Sequence, residues 1–153
     1  MIKFISSSPE ETIDFAKKIG ALLKGGDVVA FRGGLGAGKT TFTRGLAMGM
    51  GLPDEVSSPT FALVNEYRGE TVTLYHFDMY RIMNAEALET TGFYDYLTED
   101  AAVVCEWSEN IEGCLPKNVI TITIKNAGCG SCAVCEMREI TVEGDERFDN
   151  IGD

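Results

Sequence analysis

The chain has 153 residues, 44% of them apolar and 24% charged, which suits one ordinary globular domain large enough to bury its own core. Thirteen basic against 24 acidic residues give a net charge of −11, the opposite of what a chain that neutralises many nucleic-acid phosphates by itself carries. No apolar run is long enough to span a membrane, and the opening "MIKFISSSPEET" lacks a signal peptide's apolar core, so a cytoplasmic protein with no membrane role is expected.

In chain order, "IKFI" predicts a short strand. A helix follows over "SSPEETIDFAKKIGALLKGGD". Ser8 suits the N-cap, Pro9 the first helical position, and Glu11 completes a capping box with Ser8. Ile13, Ala16, Gly20 and Leu23 share one face, with Ile19 and Leu22 beside them, and Gly25 with Gly26 is the expected stop. "VVAFR", Val28 to Arg32, is a buried-strand run that feeds a glycine loop. "KTTFTRGLAMGMG" is then apolar at helical spacing through Phe42, Leu46 and Met50.

After the polar "DEVSSPT", the runs "FALVNEY" and "TVTLYHF" predict a hairpin around "RGE". "NAEALETTG" reads as a short helix with Asn84 as cap and Gly92 as terminator, and "AAVVCEW" as a buried strand. "NVITITIK" alternates and pairs with "REITVEG" across a cysteine-rich turn; the acidic tail, about 145–153, is expected to fray. Strands alternating with helices, then hairpins, predict a single-domain α/β fold with helices on both faces of a mixed sheet.

The pattern G-x-x-x-x-G-K-[ST] is met by Gly33, Gly38, Lys39 and Thr40 between a strand and a helix, the context this motif needs to hold phosphate. Its glycines let the backbone curl, so that the stretch Leu35, Gly36, Ala37 and Gly38 turns N–H groups toward phosphate oxygens, assisted by the helix dipole. Lys39 would reach the β- and γ-phosphates and the Thr40 hydroxyl would coordinate Mg²⁺. A nucleoside triphosphate with magnesium is the expected ligand.

Such a site needs one carboxylate near the metal and a group that orients the attacking water. Asp78, ending "TVTLYHF", and Glu106, ending "AAVVC", stand at strand ends; each alone is equally well a surface acid, and spacing does not say which faces the metal. No N-K-x-D element is present to read guanine, which disfavours a GTPase. "SSPT", Ser57 to Thr60, is either a nucleotide-sensing loop or a plain turn around Pro59. His76, the one histidine, shares a strand face with Asp78 and is either packed or functional. Trp107 lines the site or fills the core.

The motifs "GLGAGKTTFTRG", "SSPTFALVNEY", "YHFDMYR", "GFYDYL" and "CEWSENI…LP", in this order, strongly resemble the TsaE (YjeE) family of bacterial threonylcarbamoyladenosine-biosynthesis ATPases, over roughly Ser8 to Ile124. The resemblance implies a P-loop-type fold and an ATPase that supports threonylcarbamoyladenosine synthesis on tRNA. It also implies association with the threonylcarbamoyl-transferase subunit and that subunit's dimerising partner, through which tRNA is reached only indirectly. By the same resemblance Thr40 and Glu106 fall on magnesium positions, Asp78 on an acid needed for hydrolysis, and Thr41 on a second loop threonine. Thr12 and Arg138 fall near the nucleotide's base.

Two features depart from the family pattern. Gly34 replaces the acid usual at the loop's second position, and the turn "AGCGSCAVCEM" carries a C-x-x-C-x-x-C spacing. Cys129, Cys132 and Cys135, with Cys114 or Cys105, could hold zinc or an iron–sulfur cluster, but a turn of reduced thiols is favoured because no second C-x-x-C exists. The competing functions are a small-molecule kinase with Asp78 as base and a nucleotide-gated binding module. Against the kinase, Arg44, Arg68, Arg81, Arg138 and Arg147 are scattered rather than grouped as on a lid.

Overall fold

The computed structural model describes residues 1–33, 38–52, 64–70, 72–79, 82–106, 111, 113–127 and 137–151. The chain order is β1 (Ile2–Ser6), α1 (Pro9–Gly20), β2 (Val28–Arg32), α2 (Lys39–Gly49), β3 (Val64–Arg68), β4 (Thr73–Asp78), α3 (Ala85–Thr90), β5 (Ala101–Glu106), β6 (Ile120–Asn126) and β7 (Arg138–Glu143). Short 3₁₀ turns lie at Phe93–Tyr96 and Glu146–Phe148.

These strands form one seven-stranded sheet in the order β1-β7-β6-β2-β5-β4-β3. The inner strands β6, β2, β5 and β4 are parallel. β7 runs against β6, β1 against β7, and β3 against β4, so both expected hairpin pairings are present. Strand β5 is buried along its whole length, as a central parallel strand covered on both faces must be.

Apolar side chains divide between the two faces by strand alternation. Phe31, Leu74 and Val104 point into a core with Phe15 and Ile19 of α1 and Phe42 and Leu46 of α2. Phe77, Val103 and Cys105 point the other way, onto Leu88 of α3, Phe93 and Ile111. Helices therefore cover both faces of a mixed α/β sheet.

Helix α1 starts as its sequence dictates, with the Ser8 hydroxyl accepting from the Glu11 N–H at 3.2 Å. The return bond is displaced by one residue, since the Glu11 carboxylate accepts from the Ser7 N–H at 2.7 Å. The helix stops at Gly20, not at Gly25–Gly26. The helix closes in tight turns, with the Leu22 N–H donating to the Ile19 carbonyl at 3.0 Å and the Leu23 N–H to the Gly20 carbonyl at 3.1 Å. Gly20 packs on α2, where a Cβ would clash with the Leu46 carbonyl, and a Cβ on Gly25 would clash with the Glu99 carbonyl. After them the Asp27 carboxylate accepts from the Lys24 N–H at 2.8 Å, just before β2. Leu22, expected beside the apolar face, lies past the end of the helix and is 40% exposed. Gly45 and Gly49 of α2 allow α1 to approach closely, Gly45 against Ala16 and Gly49 against the Lys17 carbonyl.

The acidic tail does not fray over residues 145–151. Phe148 is fully buried in the core of the α1–α2 face. Arg147 donates to Asp27 at 2.7 Å and to the Leu22 carbonyl at 3.0 Å, and lies 3.0 Å from the Asp145 carboxylate. The charge count suggested a solvated tail, but one aromatic and one arginine anchor it.

Candidate functional site

Strand β2 ends at Arg32 and delivers Gly33 with φ 145°, a conformation that favours glycine. The chain re-enters the described residues at Gly38, again at positive φ (97°), which caps α2 without a side-chain hydrogen bond. The first-turn N–H groups of α2 therefore have no side-chain cap and suit an anion. Lys39 is only 7% exposed, and its Nζ donates across the loop to the Gly33 carbonyl at 3.1 Å. The Thr43 hydroxyl is turned back to the Lys39 carbonyl at 2.9 Å, whereas Thr40 is exposed and Thr41 half-buried at the start of the helix. Leu35, Gly36 and Ala37 lie outside the described residues.

The two acids are register partners: Asp78 of β4 stands opposite Glu106 of β5. Neighbouring strands are about 4.8 Å apart, so the two carboxylates share one patch. Alternation from Leu74 and Val104 puts both on the α1–α2 face, the side of the sheet that carries the loop helix. The pairing of Ala30 with Cys105 sets Glu106 level with Phe31, two residues before Gly33. Asp78 is exposed, while Glu106 is 8% exposed. The Glu106 Oε1 lies 3.4 Å from His76 Nε2, within ion-pair range but outside hydrogen-bond geometry, and both buried atoms lack a hydrogen-bond partner.

Thr12 and Arg138 are linked through Ser6. The Thr12 and Ser6 hydroxyls share a 2.6 Å hydrogen bond, both residues being buried, and Ser6 pairs in register with Arg138. Arg138 pairs on its other side with Asn126, at the end of β6. The directions of the strands then place Ser6, Arg138, Asn126, Gly33, Glu106 and Asp78 along a single edge of the sheet, the carboxyl ends of its parallel strands. Helices α1 and α2 begin at that same edge. It is where open α/β sheets bind ligands, because the chain leaves β2 there between neighbours reached in opposite directions.

A family model described as threonylcarbamoyl adenosine biosynthesis protein TsaE matches residues 6–132. The chain belongs to the TsaE family. The tRNA threonylcarbamoyladenosine biosynthesis protein TsaE of Bacillus subtilis is 39% identical over 155 residues, covering 98% of this chain and 97% of the relative. The Treponema pallidum TsaE is 37% identical, covering 92% of this chain and 99% of the relative. The crystal structure of Bacillus subtilis YdiB superposes with a TM-score of 0.75 at 35% identity, over 98% of this chain and 90% of that one.

For this TsaE-family chain, the fold brings Gly38, Lys39, Thr40, Thr41, Asp78 and Glu106 to the same edge as Thr12 and Arg138. Gly34, Ser57–Thr60, Trp107, Cys129, Cys132 and Cys135 lie outside the described residues. Sequence reading missed Ser6, whose buried hydroxyl holds Thr12; nothing in "ISSS" distinguishes it from its neighbours. His76 does share its strand face with Asp78, as alternation indicates, and its Nε2 approaches Glu106 on the next strand. Among the described residues, no helix is long and apolar enough to cross a membrane.

The candidate donors at this edge, the Thr40 hydroxyl and the Asp78 and Glu106 carboxylates, are all oxygens, the chemistry Mg²⁺ takes, and magnesium ordinarily uses one or two protein oxygens beside water and phosphate. The buried, partnerless Glu106 Oε1 marks a carboxylate in need of a positive or donating neighbour.

Proposed function

We propose that this chain binds and hydrolyses Mg-ATP in support of tRNA threonylcarbamoyladenosine modification. The observation that carries the reading is the common edge: a glycine-capped helix start with a buried lysine, on the same sheet edge as a register-matched pair of carboxylates. Backbone N–H groups at the start of α2 would take the phosphates, and Lys39 would exchange the Gly33 carbonyl for phosphate oxygens. Thr40 and Glu106 would hold Mg²⁺, which when bound neutralises charge developing on the phosphates. Asp78, exposed beside Glu106, would orient the attacking water and accept its proton. Thr41 supports the loop's hold on the phosphates, and Thr12 with Arg138, farther along the edge, flanks the base.

The net charge of −11 supports a role in which partners hold the tRNA. We take these partners to be the threonylcarbamoyl-transferase subunit and its dimerising partner, whose presence should speed a slow intrinsic hydrolysis. The test separates the two acids. Glu106→Gln should lose the gain in nucleotide affinity that magnesium brings, while Asp78→Asn should bind Mg-ATP and release phosphate slowly, measured by calorimetry and phosphate release. Equal loss of binding in both refutes this division. Rapid phosphate transfer to a small hydroxylated acceptor, with no response to the partners, would favour the kinase instead.

A further inference from the structure

We propose that His76 is a positioning residue for Glu106: its Nε2–H holds Oε1 and leaves the other carboxylate oxygen for the cation. The inference rests on the proposed magnesium site and concerns a residue to which that site assigns nothing. His76 and Glu106 lie diagonally across β4 and β5, since Glu106 is opposite Asp78 and His76 opposite Val104. Their side chains are 7% and 11% exposed, so water reaches neither facing atom. His76 Nε2 and Glu106 Oε1 are each without a hydrogen-bond partner and stand 3.4 Å apart.

Two orphaned polar atoms that face each other are one hydrogen bond short of satisfaction. A closure of about 0.5 Å supplies it for both at once. A carboxylate only accepts, so the proton must sit on Nε2. Held this way, Glu106 presents a fixed orientation to the metal; unheld, it would have to be ordered each time the cation arrives. Metal sites recurrently fix their ligands through such partners.

Because His76 is the sole histidine, its ring nitrogens give a single set of signals in a long-range ¹H–¹⁵N spectrum of tag-free wild-type protein. The Nε2–H tautomer is expected, since Nε2 is the atom that faces Glu106. His76→Leu, which keeps bulk without a donor, should weaken the magnesium-dependent gain in ADP affinity by about tenfold or more. Its ADP affinity in EDTA should be unchanged, and His76→Gln, which restores a donor, should recover most of the gain. The Nδ1–H tautomer, a full magnesium gain in His76→Leu, or equal losses with and without magnesium would overturn the proposal. If the leucine variant fails to fold, the tautomer of the wild type decides. Wild-type ADP binding that ignores magnesium overturns the metal site itself, and with it the role given to His76.

Discussion

Arg147→Ala tests the anchored tail. In the folded chain its guanidinium donates to Asp27 at 2.7 Å and to the Leu22 carbonyl at 3.0 Å. The Asp27 side chain is 6% exposed and the Arg147 side chain 23%. Breaking a fully buried ion pair costs about 3–5 kcal/mol, and a hydrogen bond to a charged group about 1.5–3 kcal/mol. Three features lower the expectation. The guanidinium is partly solvated, its Nε is buried without a partner, and Asp27 keeps the Lys24 N–H. A loss of about 2 kcal/mol remains, equivalent to a fall in Tm of about 4–8 °C for a domain of this size. Urea unfolding should show it as a lower midpoint with an unchanged slope. Asp27 is the residue before β2, so the tail also steadies the strand that leads to Gly33. A midpoint within error of wild type would mean that the tail does not clamp Asp27, and the anchoring argument would fail.

Lys39→Ala should weaken Mg-ATP binding or turnover by about 3 kcal/mol, the scale of a fixed cation removed from a charged transition state; an unimpaired, folded variant would contradict the phosphate cradle. Gly49→Ala places a Cβ against the Lys17 carbonyl, and the forced separation of α1 from α2 should cost about 1–3 kcal/mol in urea unfolding despite alanine's better helix propensity. Burial pushes the Cys105 thiol up to about 12, so the folded chain keeps its proton while the unfolded chain releases it near about 8.5. Stability from this group is therefore intact below that lower value and lost as pH rises toward the upper one. Wild type should lose up to about 1.4 kcal/mol per pH unit more than Cys105→Ala between those limits, and parallel pH curves would contradict the burial.

The elements were legible because each is specified locally. "VVAFR" can only be a covered strand, Ser8-Pro9 and Asn84 carry their own cap chemistry, and "NVITITIK" states its alternation outright. The glycines Gly33 and Gly38 were legible for the same reason, since both take positive φ and a backbone that must curl needs glycine there. Pairing was not. Asp78 and Glu106 are separated by α3 and two turns, and only the parallel register of β4 on β5 makes them neighbours. Ser6 joins Thr12 on one side and Arg138 on the other because β1 and β7 pair at the far side of the sheet. Gly20 and Gly25 pack against the carbonyls of Leu46 and Glu99, contacts that no local signal near Gly25 could reveal. The tail's place depended on a buried carboxylate far back in the chain, at Asp27. Sequence pattern sets what each segment prefers, because propensity and capping act over a few residues. Which side chains face each other is decided by packing between segments remote along the chain, and the candidate site is made of such pairs.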